Sequence, residues 1–187
     1  MGDEGLELLA HTVTFQLSNE PDPLLAQFGD RRMMDEMQKV FFSDAPNSLG
    51  HSYAKLIHGP GGRSDLQDII ALLEKEPATK RALVTFTAQP NGKVPCVTAV
   101  QFLIREGALQ LIYFARGQDA FRKFYADALC LVTLAKKVAA ARQLPLGVAR
   151  GFIGSAHIYN RDLPIIRETL AAARQWLERK GAEEVPA

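Results

Sequence analysis

The stretch that organises this chain is KVPCVTAVQ, residues 93–101. Pro95 fixes its own backbone φ angle and has no N–H donor, so it is typical of the entrance to a strand. The β-branched and apolar residues after it predict a strand over 96–104. Cys96 is therefore expected at the mouth of a strand, where a thiol can act as a nucleophile if neighbouring cations lower its pKa. The alternative is that Cys96 simply packs in the core, as free cysteines usually do.

The composition is that of one globular domain with no strong preference for a charged partner. The 187 residues are 47% hydrophobic and 23% charged, and the net charge is +1; such a chain has no overall field that attracts nucleic acid or an acidic membrane. Two cysteines cannot build a disulfide framework, which suits a reducing cytoplasm. The N-terminus is acidic where a signal peptide is basic, and no apolar run approaches the ~20 residues of a spanning helix. We therefore expect a cytoplasmic protein that contacts neither nucleic acid nor membrane.

Length and apolar periodicity predict a single α/β domain over 1–187, with a frayed tail at 181–187. Strands are expected at 6–17, 82–87, 96–104, 108–115 and 148–159. Helices are expected at 24–42, 65–76, 118–142 and 163–180, the third of them unbroken or divided near Tyr125. Ser64 is a candidate N-cap, and the glycines of 59–62 form a turn without a nucleotide-binding pattern. Glu106 and Gly107 separate two β-rich runs, which predicts a hairpin.

Several polar residues are suited to a phosphate and a planar heterocycle. Arg81 and Arg116 lie at strand ends, and each can form a forked contact with a phosphate. His157 and Tyr159 share one face of a strand and can donate to sugar hydroxyls. Asp127 is a carboxylate on an otherwise apolar helical face. Taken singly, each has a plainer explanation. The arginines can form surface ion pairs, His157 can be a buried core histidine, and Asp127 can be a solvated helix cap.

In order and spacing these residues resemble the thymidylate synthase family, over roughly 49–161, and the N-terminal part at 1–48 is divergent from it. The family's catalytic Pro-Cys, followed by a Gln-Phe strand, is matched by Pro95-Cys96 and Gln101-Phe102. Its Tyr-Gln-Arg-Ser-x-Asp stretch corresponds to 114–119, and its Gly-Asp-x-His-x-Tyr motif to 154–159.

Three weaker matches extend the resemblance. The family's phosphate-binding arginine pair corresponds to Lys80 and Arg81, with Lys80 in place of the first arginine. Tyr53 falls where the family has an active-site tyrosine. Glu36 falls where a helical glutamate orders water and proton transfer.

The resemblance implies a fold, a reaction and an assembly. The fold is a large, mixed, twisted sheet flanked by helices. In the reaction, the Cys96 thiolate adds to C6 of a pyrimidine nucleotide, and C5 then attacks the one-carbon unit of 5,10-methylenetetrahydrofolate. Arg116 holds the phosphate and favours the thiolate, and Asp119 contacts the cofactor. The assembly is a homodimer through the sheet face, in which Lys80 and Arg81 act at the neighbouring subunit's phosphate site.

Departures from the family pattern refine the substrate. Asp127 stands where the family has an asparagine that reads uracil, and a carboxyl that holds or shares a proton pairs better with cytosine. The family's dCMP hydroxymethylases carry such an aspartate, so the resemblance implies hydroxymethylation of CMP or dCMP, with water ending the reaction. Other family residues are replaced, by Val97 after the cysteine and by Ala115, Gly117 and Ser155 in the two motifs.

The family's N-terminal arginine loop and its closing C-terminal segment find no counterpart in these 187 residues. A lid that excludes water protects a reactive one-carbon intermediate. Two alternatives therefore stay open. One is a folate-independent biosynthetic enzyme that uses Cys96 addition to a modified pyrimidine or related heterocycle, and the other is a non-catalytic nucleotide-binding or partner subunit.

Overall fold

The computed structural model describes residues 5–43, 45, 53–54, 65–86, 92 and 94–181. The strands are β1 (Gly5–Gln16), β2 (Leu83–Thr85), β3 (Val97–Arg105), β4 (Ala108–Ala115), β5 (Gln118–Asp119) and β6 (Leu146–Tyr159). The helices are α1 (Pro23–Phe28), α2 (Arg31–Phe42), α3 (Asp65–Lys75), α4 (Phe124–Arg142) and α5 (Leu163–Lys180), and a 3₁₀ turn at Asn160–Asp162 precedes α5. These elements form a mixed sheet flanked by helices, as predicted.

The sheet runs in the order β1-β6-β4-β3-β2, and β5 pairs with the end of β6. β4 and β6 are parallel, and α4 lies in the crossover between them, which a parallel pair requires. The other neighbours along this order are antiparallel. Glu106 and Gly107 join β3 to β4 with φ angles of 53° and 74°, so both residues adopt the positive φ of a tight hairpin turn. The predicted hairpin is confirmed.

The core lies between one face of the sheet and the helices α2, α3 and α4. The sheet side chains that point into it are fully buried, and so are long stretches of α4. The members contributed by the sheet include Val100, Phe102, Leu109, Leu111, Tyr113, Ala149 and Ile153, and those contributed by the helices include Met37, Val40, Phe41, Leu73, Leu131, Leu134 and Val138. Because α4 is buried along most of its length, a polar side chain on its inner face is forced into the interior.

The opposite face of the sheet carries exposed apolar side chains. Ile112, Phe114 and Phe152 are about 40% exposed, and the rings of Phe114 and Phe152 stack with centroids 5.6 Å apart. A contiguous apolar face of this kind is typical of a contact surface. None of the described helices is long and apolar enough to cross a membrane.

The predicted helix over 24–42 is wrong in one respect, because it is two helices. Asp30 interrupts it, and its carboxylate accepts hydrogen bonds from the backbone N–H groups of Arg32 and Met33 at the start of α2. For 118–142, one helix rather than two is correct, because the helix passes through Tyr125 without a break, but the predicted start is wrong. Gln118 and Asp119 form β5, and α4 begins only at Phe124. The interpretations made for 59–62 and Ser64 lie outside the described residues.

Gly151 makes room for the buried ring of Tyr113. A Cβ atom added at Gly151 would lie 2.2 Å from Tyr113 Cζ. We expect Gly151→Ala to lower the free energy of unfolding by about 1–3 kcal/mol, because the added Cβ collides with the buried Tyr113 ring. Urea unfolding measures this. Gly117→Ala is the matched control, since a Cβ there meets nothing among the described residues nearer than 3.9 Å, and a Gly151→Ala variant as stable as the control would contradict the expectation.

Candidate functional site

Cys96 lies directly before β3, at the mouth of the strand, as predicted. Its carbonyl accepts a hydrogen bond from Arg116 N at 2.9 Å, which ties it to the end of β4. Cys96 is partly exposed, whereas Cys130, on α4, is buried. Of these two thiols, Cys96 is therefore the one that a ligand can reach.

Tyr53 contacts the first residue of β3 and packs in the core beside it. Its ring stacks on Phe41, with centroids 4.1 Å apart, and its hydroxyl accepts the backbone N–H of Val97 at 3.0 Å. Burial raises the pKa of Tyr53 well above its ordinary value, and the nearby Asp127 and Cys96 charges add to the effect. The hydroxyl therefore stays neutral beside the thiol.

Asp127 lies on the inner face of α4 and is 3% exposed. Gln118 Nε2 donates a hydrogen bond to its Oδ2 at 2.7 Å. Burial raises the pKa of Asp127 to about 7, although the Lys123 charge and the Gln118 hydrogen bond both oppose the rise. Near neutral pH this carboxyl is divided between its protonated and ionised forms, and its predicted role in reading the base stays a prediction.

Arg116 does not by itself make Cys96 a thiolate. Burial first, and then the Asp127 charge, raise the pKa of Cys96, and together they outweigh the lowering by Arg116 and Lys123. The expected lowering of the Cys96 pKa by Arg116 is therefore present but smaller than the rise caused by burial and by the Asp127 carboxylate. Arg116 also has a positioning role, since its Nε donates to Pro95 O at 3.1 Å and its Nη2 to Val94 O at 2.8 Å.

His157 and Asp119 face each other across the β5–β6 pair. Asp119 Oδ1 accepts the backbone N–H groups of Phe121 and Arg122, which shapes the turn into α4. His157 Nδ1 lies 3.3 Å from Ser155 O, and its ring contacts Tyr159 edge-on at 5.3 Å. A Cβ built on Gly117 would lie 4.0 Å from His157 Cε1, so the histidine borders the turn that follows Arg116.

Two predicted phosphate contacts are remote from Cys96 within one chain. Leu83 of β2 pairs with Gln101, which is five residues beyond Cys96, so Arg81 is about 20 Å or more from the thiol at ~3.3 Å per residue. Arg81 forms an ion pair with Glu76 at 2.6 Å, and Lys80 O accepts a hydrogen bond from Gln101 Nε2 at 2.7 Å. Neither residue therefore lies close to Cys96 within the same chain, and their predicted part in phosphate binding stays a prediction.

Glu36 lies on α2, the helix whose Phe41 stacks on Tyr53. Its Oε2 is 3.9 Å from Lys39 Nζ, and its predicted part in proton transfer stays a prediction.

The sequence interpretation missed two residues, Gln118 and Lys123. Gln118 is 2% exposed and bonds to Asp127, and the Lys123 charge lowers the pKa of both Asp127 and Cys96. Gln118 directly precedes Asp119, and Lys123 directly precedes α4. These positions in the sequence were the signal that could have identified the two residues. Gln118 occupies the variable position of the motif matched at 114–119, and Lys123 lies outside that motif.

The model of the family described as "Thymidylate synthase" matches residues 12–179. This chain belongs to the thymidylate synthase family. It is 27% identical over 160 residues to a "Putative thymidylate synthase" of Methanocaldococcus jannaschii, an alignment that covers 78% of this chain and 72% of the relative. It is 27% identical to the thymidylate synthase of Oenococcus oeni, covering 84% and 54%, and 24% identical to that of Listeria monocytogenes, covering 92% and 59%.

The chain thus spans a little more than half the length of these two bacterial thymidylate synthases. The match confirms the predicted family and fold, and it supports a thymidylate synthase-like enzyme. The hydroxymethylase branch stays a prediction.

The departures from the thymidylate synthase motifs have positions in this structure. Val97 and Ala115 are fully buried and pack in the core. Ser155, in place of an aspartate, donates its hydroxyl to Glu7 Oε1 on the neighbouring strand. Gly117, in place of a serine, leaves space that a Cβ fills without a clash.

The raised pKa of Asp127 makes stability depend on pH. Its value is about 7 in the folded protein against an ordinary 3.8, so between these values the folded state binds a proton that the unfolded chain has released. The stability from this group is full below about pH 4 and is lost as the pH rises through 7. Between pH 5 and pH 8 we expect wild type to lose about 3 kcal/mol more than Asp127→Asn in urea unfolding. Asp35→Asn, on an exposed site of α2, serves as control and should follow wild type; equal pH profiles for wild type and Asp127→Asn would contradict the assignment.

The Asp127 and Arg116 charges change the reactivity of the Cys96 thiol in opposite directions. At pH 8, in a Cys130→Ala background, we expect Asp127→Asn to speed iodoacetamide alkylation of Cys96 and Arg116→Gln to slow it, each by about 3–10-fold, because the thiolate is the reacting form. Mass spectrometry follows the reaction. Arg116→Lys separates charge from positioning and should stay near the wild-type rate. An unchanged rate in Arg116→Gln would show that Arg116 acts only on the backbone carbonyls.

Proposed function

We propose that this protein transfers a one-carbon unit to C5 of a pyrimidine nucleotide, and that the reaction is hydroxymethylation of CMP or dCMP. The observation that carries the proposal is the placement of the reachable Cys96 thiol beside the buried Asp127 carboxyl, whose charge acts on that thiol. A nucleophile and a base-reading group are thereby supplied by neighbouring parts of one site.

Cys96 supplies the covalent step. Its thiolate forms a bond to C6 of the pyrimidine, and the electron pair of the C5–C6 double bond moves onto C5 and into the ring. C5 then takes up an electrophile or a solvent proton, and loss of a proton from C5 with expulsion of the thiolate restores the double bond. Arg116 and Lys123 lower the pKa of the thiol, and a neutral Asp127 removes one of the causes that raise it.

Asp127 supports cytosine as the base. In its protonated form the carboxyl donates to the ring nitrogen N3 and accepts from the 4-amino group, a pair of contacts that matches cytosine. A carboxyl with a pKa of about 7 reaches that form readily. An asparagine in this place would suit uracil instead.

The sugar and phosphate contacts complete the substrate site. We assign His157 and Tyr159 to the sugar and Arg116 to the phosphate. Lys80 and Arg81 are assigned to the phosphate of a second subunit in a homodimer. Support for the dimer comes from the apolar sheet face and from the distance of about 20 Å or more between Arg81 and the Cys96 of its own chain.

The one-carbon donor that the family implies is 5,10-methylenetetrahydrofolate, which when bound would supply the carbon unit. Asp119 is the residue we assign to it. In the described contacts Asp119 uses Oδ1 for the turn into α4, so Oδ2 is the oxygen that would hold a pterin ring. Asp119 therefore fits a role in binding the one-carbon donor through Oδ2.

A second candidate function is nucleotide binding without turnover. The raised pKa of Cys96 favours it, because a protonated thiol does not add to C6.

Release of tritium from C5 tests the covalent step. With [5-³H]CMP or [5-³H]dCMP we expect wild type and Cys130→Ala to release tritium into water. Cys96→Ala should release none, because adduct formation at C6 is what labilises the C5 hydrogen. The assay is run with and without tetrahydrofolate.

Two results would contradict the proposal in different ways. Nucleotide binding in calorimetry without any tritium release would favour the binding function. Absence of binding to CMP, dCMP, UMP and dUMP alike would overturn both candidates.

A further inference from the structure

Gln118 and Asp127 form a buried polar pair with two open ends. Gln118 is 2% exposed and Asp127 is 3% exposed. Among the residues that the structure describes, neither Gln118 Oε1 nor Asp127 Oδ1 has a hydrogen-bond partner. A buried polar atom left unpaired costs about 1–3 kcal/mol. Two such atoms on side chains that are hydrogen-bonded to each other indicate a binding site in which a ligand supplies the missing hydrogen bonds.

The hydrogen bond between the two residues sets their orientation. Gln118 Nε2 donates to Asp127 Oδ2 at 2.7 Å, since an amide nitrogen is a donor only. Gln118 Oε1 is then an acceptor on the remaining end of the amide. Together with Asp127 Oδ1 it makes a pair of acceptors, carried by adjacent side chains.

This pair belongs to the Cys96 site. Gln118 is two residues beyond Arg116 in the chain, and the backbone N–H of Arg116 bonds to Cys96 O. The Asp127 charge acts on both Cys96 and Tyr53. We infer that a ring bound at the thiol meets this pair.

We propose that Gln118 is a specificity-determining residue and that Gln118 and Asp127 together accept the two N–H bonds of an exocyclic amino group on the substrate ring. The inference rests on the proposed function, in which a pyrimidine nucleotide lies at Cys96. An amino group at C4 satisfies both acceptors. A carbonyl oxygen at C4, as in uracil, meets two acceptors and leaves both unpaired.

The test removes the substrate amino group in one comparison and the Gln118 amide in the other. Calorimetry at pH 6, where Asp127 is mostly protonated, compares CMP, UMP and the 5′-monophosphate of pyrimidin-2-one riboside, which is CMP without its amino group. We expect wild type to bind CMP at least tenfold more tightly than the other two nucleotides. Gln118→Met should weaken CMP binding about 5–10-fold and leave the other two affinities unchanged. Gln110→Met, at the far end of β4 from Arg116, is the matched control and should keep the wild-type preference.

Each other result overturns the inference. An equal loss of affinity for all three nucleotides in Gln118→Met would make Gln118 a structural support of Asp127. A preference for UMP that Gln118→Met abolishes would show that the amide nitrogen faces the ring. Equal binding of CMP and its deamino analogue to wild type would exclude the amino contact without any variant, so the test does not depend on the folding of Gln118→Met.

The failure of this inference is distinguishable from the failure of the proposed function. Tight CMP binding with a preference that Gln118→Met leaves unchanged refutes only the role of Gln118. No measurable binding of any of the three nucleotides to wild type removes the proposed function, and the inference falls with it.

Discussion

Burial of the Asp127 carboxyl is the constraint on which the chemistry of this protein depends. α4 is enclosed by the sheet and α2, so a carboxyl on its inner face loses most of its hydration, and the Gln118 hydrogen bond and the Lys123 charge compensate for only part of that loss. Burial is the main cause that raises the pKa of Tyr53, Cys96, Tyr113 and Cys130, and the Asp127 charge adds to the rise at each of them. One buried carboxyl thus contributes to the protonation of four neighbouring groups.

The topology explains why the site forms where it does. β4 and β6 are parallel, so the chain passes through β5 and α4 before it returns. Arg116 and Gln118 lie at the start of this crossover, and β5 pairs with the end of β6, which brings His157 against Asp119. Cys96 reaches the same edge because β3 is antiparallel to β4 and begins where β4 ends. Four separate segments therefore meet at one edge of the sheet.

Local patterns predicted much of the fold but not its exceptions. The bounds of β4 and α5 and the hairpin at Glu106 follow from apolar periodicity and turn chemistry, which act within a few residues. The break at Asp30 was missed, because a capping carboxylate and a helical residue look alike without the N–H groups that they meet. Gln118 was missed for a related reason. Its importance comes from a bond to a residue on another element.

By itself, the sequence determined the family, the mixed sheet and the position of Cys96 at a strand entrance, because these depend on motif spacing and on near neighbours in the chain. Only the tertiary structure decided which charges act together. It placed the Asp127 and Arg116 charges so that the first raises the pKa of Cys96 and the second lowers it. It also separated Arg81 from the Cys96 thiol along the sheet. The physical reason is that desolvation and charge interactions depend on burial and distance in space, which residue order does not record.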